Sequence, residues 1–255
     1  MISMNDQNTL KFIGIIPARY ASTRFPGKPL VQIAGKSMLQ RVYEQASKCK
    51  SLDKVVVATD DERIVEEVRK FGGLYCLTSD VHQSGTDRCA EVVAHYPDYQ
   101  IAINIQGDEP FIDPAQIDLL ASCFTDRQDT ELATLIKPIV SIEELFNINS
   151  PKVVINTHQE AIYFSRHPIP FIRNTEEKDW INSHSFYKHI GIYGYRIDVL
   201  NAITKLAPSA LEKAESLEQL RWIENGYKIK TQITNLETIA IDTPDDLLKL
   251  DIPDA

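Results

Sequence analysis

The sequence predicts an α/β fold, a mostly parallel sheet with helices on both faces, in one domain over residues 1–255. Three observations lead there. Short apolar runs of strand length (FIGIIP, KVVVAT and IAINIQ) alternate with segments of helical period. The chain is 43% hydrophobic with only 10 glycines, which is enough apolar material for a sizeable core. No apolar run approaches the roughly 20 residues that cross a bilayer.

Phe12 to Pro17 reads as a buried strand ending in a Pro-containing loop. Ser37-Met38-Leu39-Gln40 then has capping-box spacing, and Met38, Leu39, Val42 and Ala46 recur at helical intervals. Lys54–Thr59 is the second strand. Asp60 and Asp61 open a helix with Ile64, Val65, Val68 and Phe71 on one face, closed by Gly72-Gly73. A third strand at Leu74–Leu77, a helix near Asp87–His95, a fourth strand at Ile101–Gln106 and a helix at Pro114–Phe124 continue the alternation.

Beyond Glu131 the pattern loosens. Strand-like pieces at Ala133–Pro138, Val153–Asn156, Ala161–Ser165 and Lys188–Tyr195 predict an embedded mixed-strand elaboration, followed by helical patterns at Asp198–Leu206 and Ser209–Glu224. Thr238–Ile241 reads as the last strand, running into Thr243 as N-cap and Pro244 as first helical residue.

The net charge of −9 argues against a nucleic-acid-coating surface. Within this acidic chain, Gln7 to Tyr43 contains no Asp or Glu but holds Lys11, Arg19, Arg24, Lys28, Lys36 and Arg41, the composition of a compact anion site or of a run of solvated charge. The opening MISMNDQNTL is polar and predicts no secretory leader. The 4 cysteines are scattered, with no CxxC pair, so a disulfide framework or zinc site is not expected and a reducing cytoplasm is.

Ligands of open α/β sheets bind outside the carboxyl ends of the strands, so the loops there carry the chemistry. The first, Ala18 to Pro29, sets Arg19, Ser22, Arg24, Gly27 and Lys28 behind a buried strand, where backbone N–H groups and cations can wrap a polyphosphate. It holds neither GxGxxG nor a complete Walker A motif. The second, His82 to Arg88, reads on its own as a capped helix start; its Ser84, Gly85 and Thr86 could also receive a base or ribose. The third, Gln106-Gly107-Asp108-Glu109-Pro110, puts a carboxylate at a strand end, where it is either an acidic turn or a ligand for a hard cation such as magnesium. Asp242 is either a helix-start acid or the second such carboxylate. Further on, Phe164-Ser165-Arg166, Lys188 to Tyr195 and Ser216 to Arg221 mix polar with apolar residues, as a pocket for a hydroxylated acid requires. Arg166 could pair bidentately with a carboxylate. Taken singly, His189 is a core histidine, and Glu218 and Gln219 lie on a helix surface.

Together, IIPARYASTRFPGKPL, VVVATDDERI, HQSGTDR, NIQGDEP, YFSR, HIGIYGY, LEQLR and IDTPDDL resemble, in order, the 3-deoxy-manno-octulosonate (Kdo) cytidylyltransferase family from Phe12 to about Leu250. The resemblance implies a Rossmann-like nucleotide-diphospho-sugar transferase fold and a cytoplasmic homodimer. It also implies that CTP and Kdo react with Mg2+ to give CMP-Kdo and pyrophosphate for lipopolysaccharide biosynthesis, with no nucleic-acid or membrane partner. It divides the chain into a nucleotide-binding part at about 11–130, a sugar-binding and dimerisation elaboration at about 131–235 and a sheet completed at about 236–250.

Carried over residue by residue, the resemblance assigns CTP to Arg19, Ser22, Arg24, Lys28, Ser84, Gly85, Thr86 and Arg88. It assigns the metal to Asp108 and Asp242, and Kdo to Gln106, Arg166, His189, Tyr193, Glu218 and Gln219. Arg19, Lys28, Asp108 and Asp242 form the implied catalytic set. A cytidylyltransferase for another 2-keto sugar acid (sialic-type or amino-substituted) would share the phosphate machinery and differ around Arg166, His189 and Glu218. A non-catalytic nucleotide binder would need no paired carboxylates.

Overall fold

The structure is a computed structural model and describes residues 10–21 and 25–248. Strand β1 (Phe12–Pro17) leads into a short hairpin, β2 (Gln32–Ile33) with β3 (Lys36–Ser37), and then α1 (Met38–Ala46). β4 (Lys54–Thr59), α2 (Glu62–Lys70), β5 (Tyr75–Leu77), α3 (Gly85–Ala94), β6 (Ile101–Asn104) and α4 (Pro114–Thr125) follow in alternation. β7 (Leu132–Pro138), α5 (Ile142–Phe146), β8 (Lys152–Ile155), β9 (Ala161–Ser165), α6 (Trp180–Ser183) and the long β10 (Tyr187–Arg196) come next. α7 (Ile197–Ile203), α8 (Ala210–Glu215), α9 (Gln219–Glu224), β11 (Ile229–Ile233) and α10 (Pro244–Leu248) complete the described chain.

Local chemistry sets the helix starts. The Ser37 hydroxyl accepts from the Gln40 N–H, and the Asp61 carboxylate accepts from the Arg63 N–H, each satisfying a donor with no intrahelical partner. At the other end of α2, Gly72 adopts φ +74, the left-handed geometry that closes the helix.

The main path of the sheet runs β11-β7-β10-β6-β1-β4-β5. β1 is parallel to both β4 and β6, β4 to β5, and β11 to β7, while β10 is antiparallel to β6 and β7. Every strand of that path except β10 therefore runs the same way. Alternation along β1 sends Phe12 and Ile16 to one face and Ile13 and Ile15 to the other. The first face packs on α1, α2 and α4 through Leu39, Val42, Ile64, Ile117 and Phe124. The second packs on α3, α7 and α9 through Val92, Leu200 and Trp222. Helices on both faces are what the strand–helix alternation predicts.

The elaboration is β8 and β9, an antiparallel pair attached to the sheet through β10, with Ile139, Leu145, Trp180 and Phe186 forming a small core beside it. Two expectations are corrected. The strand expected at Thr238–Ile241 does not form, and Ile229–Ile233 is the one that pairs, parallel to β7. After Thr234, whose N–H still reaches the Ile136 carbonyl at 2.9 Å, side chains take over the anchoring: Glu237 pairs with Lys137 and Lys188, and Thr238 donates to Gln116 at 3.1 Å. The helix expected over Ser209–Glu224 is split into α8 and α9 by Ser216, which stands at φ +52. Leu217 and Glu218 also lie outside both helices, so a single helical face does not span the break.

Where β10 crosses α4 there is no room for a side chain: a Cβ on Gly194 would lie 2.6 Å from a Phe124 ring carbon. Gly194→Ala is expected to lower unfolding free energy by about 1–3 kcal/mol through overpacking, seen in urea denaturation as a lower midpoint with an unchanged slope.

Candidate active site

The loop after β1 is pinned at its base. Ala18 N–H bonds the Ala58 carbonyl at 2.9 Å, and Gly27 N–H bonds the Tyr20 carbonyl at 2.9 Å. Gly27 sits at φ +70 with its would-be Cβ 3.3 Å from the Tyr20 ring, so the turn both needs the left-handed conformation and leaves no space. The Arg63 guanidinium lies 3.2 Å from the Tyr20 ring centroid and is itself held by Asp61 at 2.9 and 2.6 Å. Ser22 and Arg24 lie outside the described residues. Arg19 and Lys28, from the two ends of the loop, face a cavity of about 510 Å³ shared with Ser84, Gly85, Arg88, Gln106 and Asp108.

Opposite them, the chain leaving β6 passes so close to β1 that a Cβ on Gly107 would stand 2.9 Å from the Pro17 carbonyl oxygen. This brings Asp108 to the cavity wall. Ile241 N–H donates to the Asp108 carbonyl at 2.9 Å, and Ile241 is fully buried against Ile33 and Met38, so the next residue, Asp242, arrives beside Asp108. The Lys28 ammonium donates to Asp108 Oδ2 at 2.7 Å and to Asp242 Oδ1 at 3.3 Å. Residues far apart in the chain thus converge on one positive charge. The donor set fits a magnesium ion: two carboxylates are already gathered around a cation, on the wall of a cavity whose cationic lining suits phosphate oxygens. Among the described residues no group of three or more His, Cys, Asp or Glu forms an all-protein cage, so phosphate and water would complete its shell.

Ser84 is the N-cap of α3 with a complete capping box: Asp87 N–H donates to Ser84 Oγ, and Ser84 N–H to Asp87 Oδ2, both at 3.1 Å. Ser84 and Gly85 also line the cavity, so the cap and the ligand-facing readings both hold for this segment. Arg88 is 1% exposed, bonded to the Thr78 hydroxyl and 3.4 Å from Asp60 Oδ2. Thr86 turns elsewhere, its hydroxyl donating to Glu218 at 2.8 Å, which joins the nucleotide-side helix to the residues expected around the sugar.

On that sugar side, Gln106 donates to the Gly191 carbonyl at 2.8 Å. Burial, against the Thr86 hydrogen bond, holds the Glu218 carboxyl above the usual carboxylate range. Gln219 and Tyr193 are buried. His189 meets Thr134 Oγ1 at 3.0 Å and packs against the Phe164 and Tyr193 rings; burial pushes its pKa down to about 3, so it is a neutral imidazole. Arg166 has backbone partners. Its guanidinium donates to the carbonyls of Glu215 (2.6 Å), Ile148 (3.0 Å) and Ser216 (3.2 Å), so it braces the turn that presents Glu218. The left-handed turn at Ser216 leaves carbonyls in need of donors, and the guanidinium supplies them.

The fold and site define a cytidylyltransferase: a family model described as "Cytidylyltransferase" matches residues 13–230. The chain is 59% identical over 245 residues to the 3-deoxy-manno-octulosonate cytidylyltransferase of Parabacteroides distasonis, covering 94% of this chain and 96% of that one. It is 56% identical to the protein of the same name from Bacteroides thetaiotaomicron, covering 93% and 96%. A solved CMP:2-keto-3-deoxy-manno-octonic acid synthetase complexed with CTP superposes with a TM-score of 0.87 at 44% identity, covering 94% and 96%. The chain belongs to the 3-deoxy-manno-octulosonate cytidylyltransferase family, enzymes of the nucleotidyltransferase class.

Glu109 drew no attention in the sequence beyond an acidic turn. It is 6% exposed, one carboxylate oxygen has no hydrogen-bond partner, and burial, aided by the adjacent Asp108 charge, pushes its pKa up to about 8. Below the unfolded carboxyl pKa both states are protonated. Between there and about 8 the folded state keeps a proton that the unfolded state has lost, so this residue makes stability fall as pH rises through that window. Glu109→Gln is expected to remove that fall, gaining on the order of 2–3 kcal/mol relative to wild type between pH 5 and pH 8. Unfolding curves of both proteins across that range check it; parallel pH profiles would refute it.

Proposed function

We propose that this enzyme transfers CMP from CTP to the anomeric C2 hydroxyl of Kdo, releasing pyrophosphate, in a magnesium-dependent reaction. The observation that carries the reading is the convergence of Lys28, Asp108 and Asp242 on the wall of the cavity bounded by Arg19, Ser84 and Gly85. The names of relatives matched along nearly the full chain support CTP and Kdo as the substrates.

The chain's part in the chemistry is positioning and charge. Arg19 and Lys28 neutralise the triphosphate, the N-terminal turn of α3 offers Ser84 and Gly85 at close range, and Asp108 and Asp242 hold the metal. When bound there, magnesium supplies charge neutralisation on the phosphates and a lowered pKa for the attacking hydroxyl. The C2 oxygen forms a bond to the α-phosphorus as the bond to pyrophosphate breaks in line, and the hydroxyl proton leaves to solvent. His189, held neutral, donates or accepts hydrogen bonds but carries no charge near neutral pH. No covalent nucleophile is needed.

The product, CMP-Kdo, is the activated sugar for lipopolysaccharide biosynthesis, which places the enzyme in the cytoplasm; free, scattered cysteines agree with a reducing compartment, and no helix among the described residues is long and apolar enough to cross a membrane. A homodimer is part of this reading. Exposed Phe171 and Ile162, beside a cavity of about 590 Å³ along β8, supply apolar surface for a second copy.

The test is pyrophosphate release by the purified protein with CTP and magnesium, with and without Kdo. Release should require all three and fail with ATP; absence of CTP binding would sink the reading. Asp108→Asn and Asp242→Asn are each expected to cost about 10²-fold or more in kcat with a circular-dichroism spectrum like wild type. Near-normal turnover at limiting magnesium would remove that residue from the metal site.

A further inference from the structure

We infer that Asn104 and Tyr195, which no motif singles out, are specificity-determining residues of the sugar-acid pocket, offering hydrogen-bonding atoms to a polyhydroxylated ligand. The inference rests on the reading of the neighbouring Tyr193, Glu218 and Gln219 as the sugar side of the site.

Register places the two residues there. Asn104, the last residue of β6, stands directly opposite Tyr193 on β10, and Tyr195 stands opposite Ala102. Steps of two along both strands keep Asn104, Tyr193 and Tyr195 on one face of the sheet. The two tyrosine rings lie 6.0 Å apart, and Trp222 of α9 meets both edge-on at 5.1 and 5.8 Å. The start of α3 closes the other side. A Cβ on Gly85 would lie 3.5 Å from Asn104 Nδ2, and Thr86 is bonded to Glu218 at 2.8 Å. The nucleotide-side helix and the Glu218–Gln219 turn therefore bracket the same patch.

The patch is polar where packing alone would favour apolar groups. Asn104 is 5% exposed and Tyr195 fully buried. Asn104 Oδ1, Tyr193 Oη, Tyr195 Oη and Gln219 Nε2 are all shielded from solvent and lack a hydrogen-bond partner of good geometry, and the Tyr195 hydroxyl has only the polar side chains of Thr86 and Asn104 near it. A buried polar group left unpaired is costly, so a cluster of them at a catalytic edge points to a ligand that pairs them. The set contains an acceptor, a donor and two hydroxyls that do either, and none of the four is a cation. That composition matches sugar hydroxyls, which both donate and accept, and not phosphate. The Thr86 hydroxyl ties the start of α3 to Glu218 at 2.8 Å, beside these atoms.

Tyr195→Phe deletes one hydroxyl and leaves the ring packing. The expected result is a KM for Kdo raised about three- to tenfold, with the KM for CTP and kcat at saturating Kdo near wild type, and a melting temperature equal to or above wild type. Asn104→Leu, near in volume, should show the same split. A purely structural role predicts a lower melting temperature with no selective change in the KM for Kdo, and that result, or an unchanged KM for Kdo in both variants, would overturn the inference. The wild-type control separates the two layers: no turnover of Kdo by the unmodified enzyme rejects the substrate reading itself, whereas normal wild-type turnover with unaffected variants rejects only the roles of Asn104 and Tyr195.

Discussion

The Lys28 ammonium, shared between Asp108 and Asp242, is the contact around which the site is organised. Three distant stretches must arrive within a few ångströms, and each is delivered by a different device. Lys28 comes from a loop closed by Gly27 under the Tyr20 ring. Asp108 comes from a strand end that only glycine at 107 lets pass so near Pro17. Asp242 comes from an irregular segment bonded to the Asp108 backbone itself. With their side chains partly exposed, these ion pairs add little to stability. What they supply is placement: a lysine and two carboxylates brought together by the fold.

The antiparallel strand β10 joins the two substrate sides. Its first half pairs with β8 and β7, and its second half with β7 and β6; its register against β7 shifts between Ile190 and Tyr193. The irregularity frees the Gly191 carbonyl to accept from Gln106, at the end of the strand that also bears Asp108. A parallel strand in this position would have needed a crossover and could not have carried His189, Tyr193 and Tyr195 across the sheet in one run. The elaboration thus hangs from the sheet at the point where its residues must face the nucleotide loops.

The legible parts of the sequence are those where one local rule decides the outcome. FIGIIP, KVVVAT and IAIN are buried on both sides and read as strands; Ser37 and Asp61 cap helices by their own side chains. IKTQI was missed because its polar residues Lys230 and Gln232 alternate at the open edge of the sheet, whereas TIAI looked like a strand through composition alone. The break at Ser216 was hidden because the donor that takes up its freed carbonyl, the Arg166 guanidinium, lies 50 residues earlier. The cavity wall followed the same division: Lys28, Ser84 and Asp108 sit in loops that follow buried strands or open a helix, places a local rule picks out, while Asn104 and Glu109 become distinctive only through burial without partners.

The two substrate sides also differ in how they meet a ligand. On the proposed phosphate side, Lys28, Asp108 and Asp242 already pair with one another, so a nucleotide and metal bound there would exchange one set of ionic contacts for another, with a modest net gain per contact. On the proposed sugar side, buried atoms lack partners, and a ligand with matching hydroxyls would recover a cost that the folded chain carries on its own. An analogue lacking one of those hydroxyls leaves a buried group unpaired and loses the whole of that recovery, which is the asymmetry by which polar pockets reject near neighbours far better than apolar ones. On the proposed function, selection among sugar acids would fall to the face formed by β6 and β10, and the loops after β1 and β6, with their shared lysine, would serve as a general phosphate-handling edge.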